Sequence, residues 1–462
     1  MSSLQKLIKK HRRLVRRMNY LDYILFPVYV ALFYFIFSLR RKKYTDPLLK
    51  KYHLQAFWIK VLGTVAFTYF IMGISNKQSD SYLLYWVEGR NIFKLILNDP
   101  IHLKWVFAKG KDFDQSLLAD MWNLGYFNDE NNYMVARIVT ILSFFTFGKY
   151  LIINLFFSMI SFSGVWRLYR FFYELYPHLH KQLAIAILYL PTFVFWSSGI
   201  LKDPICTGAI GWLTYALYEM FYKKQGLLRN TMVVLFASFM LLNLKIYILI
   251  SYVPFFCLFL ILQNVNLLKN KFIKIMLGPT LIVGCIFAGQ QVMKKFQAEL
   301  GSFAAEGLTD RIKNQQQNFK DQAQQGIGES NFSLGVDFDG SVFSLVKMAP
   351  AAIIATLYRP FIWESRKVST LLSSFESLAM IILTIWVMFK VGLRRFVRTI
   401  IKNPTVLYCF LFAMLFALFV GATTLNFGTL CRYKIPCMPF YVIALLIIWD
   451  STRKKTVIPV IT

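Results

Sequence analysis

Long apolar runs, broken by short basic connectors, make up most of this chain. Runs of about 20 residues match the length a helix needs to cross a bilayer core. None alternates residue by residue as a barrel strand would. The pattern predicts spans at 56–74, 138–160, 183–201, 205–222, 230–247, 248–266, 273–291, 369–391, 404–425 and 435–450. The expected fold class is all-α: a polytopic transmembrane helical protein of about ten spans, with one more if 20–39 crosses.

The connectors set the orientation. Basic residues gather in 40–55 (RRKK and KK), in 166–182 (Arg167, Arg170, Lys181) and in 223–229 (Lys223, Lys224, Arg229). They recur as three Lys in 269–274, as Arg394, Arg395, Arg398 and Lys402, and as Arg453, Lys454 and Lys455 in the tail. With spans counted from 56, all of these fall on one side, and the positive-inside bias makes that side cytoplasmic. The opposite connectors are balanced in charge (75–137) or Gln-rich (292–346).

The organisation expected is therefore as follows. Residues 1–55 form a basic cytoplasmic tail that includes an apolar helix, 24–38, lying in the inner interface or dipping in and out. Residues 56–450 form the transmembrane domain, with external loops at 75–137 and 292–368, and 451–462 form a cytoplasmic tail. The stripe in 81–97 predicts an interfacial helix on the external side. Residues 292–325 read as a polar helix and 342–358 as a short amphipathic or re-entrant one. The start, "LIKKHRRLVRR" before an apolar run, mimics a signal peptide, but no small-residue cleavage site follows, so the segment is kept.

Composition sharpens this picture. The chain is 57% hydrophobic and only 16% charged, less charge than a soluble domain carries. A net charge of +29 would suggest nucleic acid in a soluble protein. Here the cations sit in connectors and report orientation and anionic headgroups, so the partner is the lipid bilayer and no nucleic acid is expected. The six Cys show no CxxC spacing, and His178 and His180 are the one close His pair. Neither suggests a cofactor or a resident metal. Two acidic triplets, Asp112-Phe113-Asp114 and Asp337-Phe338-Asp339, leave a divalent cation as an option and nothing more. No GxxxxGK[ST], GxSxG or HExxH pattern occurs.

Several charges interrupt apolar sequence on the predicted external side. They are Asp80, the Lys202-Asp203-Pro204 turn, Arg359 and Glu364 around Trp363, Glu376 about two turns into a span, and Arg432-Tyr433-Lys434. Ionisable groups at membrane depth are tolerated mainly around a hydrated cavity or a paired site. Arg359, Arg432, Lys434 and Lys202 are cationic donors suited to phosphate. Asp80, Glu364 and Asp203 are candidate acids or bases, and Tyr82, Tyr85, Trp196, Trp363 and Tyr433 offer flat faces for sugar or isoprenoid. The combination suits a polyprenyl-linked saccharide. Each residue also has a plainer reading. Asp80 can be a helix cap, Lys202 and Asp203 can pair with each other, Arg359, Arg432 and Lys434 can be interfacial anchors, and Glu376 can be neutralised by Arg359.

"SDSYLLY", an acid soon after a span in a large external loop, resembles the membrane-embedded C-type glycosyltransferases. "FWSSGILKDPI", "YRPFIWES" and "RYKIPCMPFY" resemble bacterial envelope polysaccharide proteins grouped with O-antigen polymerases or family-39-like transferases. The resemblance implies a multi-pass protein of the bacterial inner membrane that transfers glycosyl groups from a lipid-linked donor. It implies Asp80 as the external-loop base and Arg432 as a cation near the lipid phosphate. Here Asp80 would be the general base, Glu364 or Glu376 would orient an Arg or the sugar, and other envelope-biosynthesis proteins would be partners. Two other readings stay open: a transporter or flippase for a lipid-linked or anionic solute, for which Lys245 and Glu376 are the only deep charges, and a non-catalytic subunit of an envelope assembly.

Overall fold

The computed structural model describes residues 20–108, 130–264, 317, 321, 331–336, 342–365 and 367–453. The predicted span 273–291, both acidic triplets and most of 292–346 lie outside these residues. Among the described residues every regular element is helical; an isolated antiparallel bridge joins Asn331 and Asn426. The chain divides into two compact units, Met1–Ile160 with Ser198–Leu201, and Ser161–Ser197 with Lys202–Thr462.

The first unit opens with α1 (Tyr20–Lys42) and α2 (Pro47–Tyr69). Asp46 starts α2 by accepting from the Leu48 amide at 2.8 Å, and Pro47 follows at the first helical position. The two helices meet through Tyr34 and Phe37 against Phe57, at 5.9 and 6.1 Å between ring centres. Despite Pro27, α1 is long and apolar enough to cross a membrane, and so is Pro47–Ile74, which α2 forms with a π-helical last stretch. The helix starts ahead of the expected span at 56, because the Asp-Pro cap lets the Lys50-Lys51 segment be helical.

A turn with Asn76 and Lys77 at positive φ leads to a π-helical stretch, Asp80–Trp86, and then to α3 (Val87–Asn98). This is where the sequence stripe placed an amphipathic helix. α3 packs on α4 (Glu130–Thr146) at Gly89, where a Cβ would lie 2.7 Å from the Ala136 carbonyl. The expected span 138–160 is not one helix. α4 ends at Thr146, Phe147 and Gly148 turn at positive φ, and α5 (Tyr150–Leu175) takes the span's place. Gly148 and Lys149 carried the turn signal, and the apolar average hid it. Arg167 and Arg170 therefore belong to the body of α5 and not to a connector. Inside this unit Asn154 donates to Thr68 at 2.9 Å and accepts from the Ile200 amide at 2.8 Å. Ser158 donates to the Lys60 carbonyl at 3.1 Å. Small polar side chains thus tie apolar helices together where water is scarce.

The second unit holds the rest of α5, α6 (His180–Leu188), α7 (Pro191–Trp196), α8 (Lys202–Phe221) and α9 (Leu227–Asn264). It continues with α10 (Val342–Tyr358), α11 (Val368–Val391), α12 (Leu393–Lys402), α13 (Pro404–Thr423), α14 (Phe427–Tyr433) and α15 (Met438–Asp450). The expected span 183–201 is split into α6 and α7, since Pro191 cannot continue a helix through Tyr189 and Leu190.

α5 and α8 touch backbone to backbone at glycines. A Cβ on Gly164 would lie 1.9 Å from the Gly208 carbonyl oxygen, and one on Gly211 would lie 1.9 Å from the Gly164 oxygen. Hydrogen bonds flank the crossing: Ser161 with Thr207 at 3.0 Å, and Trp212 Nε1 donating to Ser163 at 3.0 Å.

α9 changes direction at Lys245, whose φ of −152° and ψ of 76° break the helix. The first limb runs back along α8, with Phe236 against Trp212 at 5.8 Å and Lys245 at Asp203. A straight continuation would carry Tyr252 about 10 Å beyond Asp203. Instead its hydroxyl meets Thr214 at 2.6 Å, well along α8 in the other direction. The chain therefore doubles back at Lys245. The second limb then lies antiparallel to α13, pairing Tyr247 with Phe416 and Phe256 with Tyr408. Each limb is about 27 Å long at 1.5 Å per residue, and the break between them falls inside the expected run 230–247.

Six helices or helical stretches among the described residues are long and apolar enough to cross: Tyr20–Lys42, Pro47–Ile74, Tyr150–Leu175, Leu227–Gln263, Thr370–Val391 and Pro404–Thr423. α14 and α15, bent by 62°, make a seventh if they form one broken span. α10 descends against α13, with Ala352 on Gly421 and Thr356 donating to the Ala417 carbonyl at 2.7 Å. It ends where Tyr358 meets Tyr441 at 2.6 Å.

Candidate anion site at the start of α8

The Lys202-Asp203-Pro204 turn opens α8, where an acid in the first turn and a proline early in the helix both favour initiation. The Asp203 side chain is fully buried. Its Oδ1 accepts from Lys245 Nζ at 2.5 Å, and its Oδ2 accepts from Arg432 Nε at 2.6 Å. The break in α9 has a physical reason here. It brings an ammonium that would otherwise face hydrocarbon onto a buried carboxylate. Lys245 also stands 4.2 Å from the Tyr433 ring centre and Arg432 5.6 Å from it, in cation–π range. Asp203 thus pairs with cations from two distant helices, which replaces the expected alternative of a local Lys202–Asp203 pair. Lys202 itself is half-buried.

A second cluster forms around Arg359 and Lys434. Arg359, at the end of α10, donates from Nε to both oxygens of Glu364 at 3.0 and 3.1 Å, and its Nη2 also donates to Glu364. Nη1 reaches the Ser333 carbonyl at 3.2 Å. The guanidinium lies 4.5 Å from the Phe332 ring and 5.1 Å from Phe427. Glu364 accepts in addition from the Phe361 amide at 2.9 Å. Lys434 is fully buried, and its ammonium donates to the Arg359 carbonyl at 3.0 Å and to Ser377 at 2.9 Å. Among the described residues no carboxylate forms an ion pair with it. Since Arg432 and Lys434 flank Tyr433, the end of α14 links the two clusters.

Glu376 behaves differently from the expectation that Arg359 neutralises it. It accepts from the Thr192 amide at 2.9 Å and from the Thr192 hydroxyl at 2.5 Å, at the start of α7. Arg359 is engaged by Glu364 instead. Glu376 ties the start of α7 to α11. Glu376→Ala would leave a buried amide without its acceptor. The expected loss is about 1–3 kcal/mol, read as a lower thermal midpoint of the detergent-solubilised protein.

The remaining candidates are spread out. Trp196 is half-buried beside Phe195, while Trp363 is exposed and stacked on Phe361 at 5.0 Å. Tyr433 is half-buried beneath its two cations. Asp80 and Tyr82 belong to the first unit. Asp80 is exposed at the first position of the π-helical stretch, after Ser79, whose hydroxyl accepts from the Tyr82 amide at 3.4 Å. Tyr82 is closed in by Trp86 and Tyr150, at 4.7 and 5.3 Å. Burial pushes its hydroxyl above the usual tyrosine range, so it stays protonated and packs as core.

The sequence reading missed Lys245 as a site residue, and with it Ser333, Phe332, Phe427, Ser377 and Thr192. Lys245 had a signal, a lone cation inside a long apolar run. The others are ordinary residues with no signal of their own. Among the described residues no group of three or more His, Cys, Asp or Glu gathers to hold a metal. What the arrangement offers is positive charge held in or near the core: buried Lys245 and Lys434 and half-buried Arg432 and Arg359, against Asp203 and Glu364, with Glu376 committed to Thr192. That chemistry suits a phosphate or another anion. No family model, curated protein or solved structure matches this chain.

Proposed function

We propose that the protein is a glycosyltransferase or polysaccharide polymerase of the bacterial inner membrane, acting on polyprenyl-phosphate-linked saccharides at the extracytoplasmic face. The observation that carries this reading is the linked pair of clusters around Tyr433, which brings Lys245, Arg432, Arg359 and Lys434 together in buried or half-buried positions. Such a site favours a leaving phosphate, on which negative charge builds in the transition state.

In the proposed reaction an acceptor hydroxyl attacks the anomeric carbon. The bond from that carbon to the phosphate oxygen breaks, and the lipid phosphate or diphosphate leaves with the electron pair. The hydroxyl proton passes to a general base, the role that the sequence resemblance implies for Asp80. Arg359, Arg432 and Lys202 stabilise the departing oxygen, and Glu364 orients Arg359. Asp203 holds Lys245 and Arg432 in place, which makes it a positioning residue. Trp196, Trp363 and Tyr433 supply apolar or stacking surface for sugar or isoprenoid.

The test is genetic and chemical. Deletion of the protein is expected to shorten or abolish a surface saccharide and to accumulate its lipid-linked precursor. Asp80→Asn, at normal expression, should lower turnover about 10²–10⁴-fold, the range for removing a general base. A normal glycan with Asp80→Asn removes the base assignment, and normal glycans in the deletion strain remove the whole reading.

The doubled-back α9 and the bent pair α14–α15 favour one second reading, a carrier or flippase, since transporters place broken helices around charged sites in the membrane. Under that reading the accumulated precursor would stay on the cytoplasmic leaflet.

A further inference from the structure

The end of α11 carries a feature that the proposed reaction does not use. Ile382, Ile385, Trp386, Phe389 and Lys390 line an open groove of about 560 Å³. Its walls are apolar apart from the one ammonium, and Phe389 is 85% exposed. Trp386 lies 5.4 Å from Trp449, and Arg453 stacks over Trp449 at 3.8 Å. A second cation thus stands two aromatic rings away from the groove.

Gly392, at φ +76°, then turns the chain into α12. This helix buries Phe396 and leaves Leu393, Val397 and Ile401 at 65%, 46% and 67% exposure. These three recur every four residues and make one apolar stripe. Arg394, Arg395 and Arg398 are exposed on the same helix. An apolar stripe bordered by arginines is the signature of a helix lying in a lipid interface.

We infer that the α11–α12 elbow is a binding site for an anionic phospholipid, with an acyl chain in the Ile382–Phe389 groove and the headgroup phosphate among Lys390, Arg394 and Arg453. Charge complementarity selects the ligand. A zwitterionic lipid would fill the groove equally well but would gain less from the surrounding cations. The site sits at the basic-connector end of the chain, where anionic headgroups attract Lys and Arg. It is independent of the reaction proposed above.

The full-length protein, released from nanodiscs of equal phosphatidylglycerol and phosphatidylcholine, is analysed by native mass spectrometry. Retained lipid should be mostly phosphatidylglycerol. Each cation near a membrane surface is worth about fivefold in binding. Lys390→Gln combined with Arg394→Gln and Arg453→Gln should therefore erase the preference while leaving the protein monodisperse. Phe389→Ala, at an exposed position, should lower retention of both lipids. Equal retention of the two lipids by the unaltered protein overturns the proposal, as does an unchanged preference in the triple variant. Displacement of the lipid by glycerol phosphate at equal concentration would show that the groove contributes nothing, and would overturn the acyl-chain half.

Discussion

Asp203→Asn is expected to destabilise the second unit by about 3–5 kcal/mol, the cost of leaving a buried charge without its partner. The fully buried carboxylate is the shared anion of Lys245 and Arg432. An amide of the same shape keeps the packing but offers neither cation a countercharge. The break in α9 should suffer first, because Lys245 is held at the turn by this contact. The measurement is the thermal midpoint and the monodisperse fraction after detergent extraction. Adding Lys245→Met should recover part of the loss, since it removes one of the two stranded charges. Replacing all three by apolar residues (Asp203→Leu, Lys245→Met, Arg432→Met) should bring stability close to the original, as buried charged triads often allow. The proposed glycosyl transfer should not return with it. That contrast separates the stability of the cluster from its chemistry. A single Asp203→Asn as stable as the parent would show that the cations find water, and the buried-pair account would fail.

Gly164→Val and Gly211→Val are expected to have effects at least as large, and for a different reason. At both positions the atom a side chain would strike is a carbonyl oxygen of the facing backbone, 1.9 Å away. No rotamer change relieves such a clash, so α5 and α8 would have to separate. Separation would also break the Ser161–Thr207 and Trp212–Ser163 hydrogen bonds that flank the crossing. In lipid, helices associate through close packing and such bonds, with little hydrophobic drive between them. The expected outcome is a protein that is made but does not survive extraction as a single species. Gly73→Ala is the control: its added Cβ would meet only Tyr69, at 4.0 Å. It should change the midpoint little. Recovery of a monodisperse Gly211→Val protein with the parent's midpoint would show that the glycine contact is not needed.

The cases in which sequence and structure differ share a cause. The apolar run 138–160 predicted one span, yet the chain turns at Phe147 and Gly148, and the helix long and apolar enough to cross is Tyr150–Leu175. A hydropathy average over about 19 residues dilutes one glycine and one lysine among many phenylalanines. The run 183–201 likewise hid the Pro191 break between α6 and α7. The break at Lys245 also falls inside the expected run 230–247, where the lysine read as a deep charge and not as a turn.

The site shows the same division. Arg359, Glu364, Glu376, Arg432 and Lys434 stood out because charge in apolar sequence needs a reason. Their partners did not stand out. Glu376 was expected to meet Arg359 and instead holds Thr192, while Arg359 takes Glu364 five residues on.

What the sequence alone determined is the helical class, the presence of many apolar helices, and which ionisable groups stand in apolar sequence. Helix length, side-chain transfer cost and capping are local properties, so they can be read from neighbours in the chain. Only the tertiary structure decided that α9 doubles back, that glycines 164, 208 and 211 press α5 onto α8, and that Asp203 answers Lys245 and Arg432. Those contacts depend on how each helix is rotated and where the chain reverses. Packing of many side chains at once sets both, and no single stretch of residues encodes it.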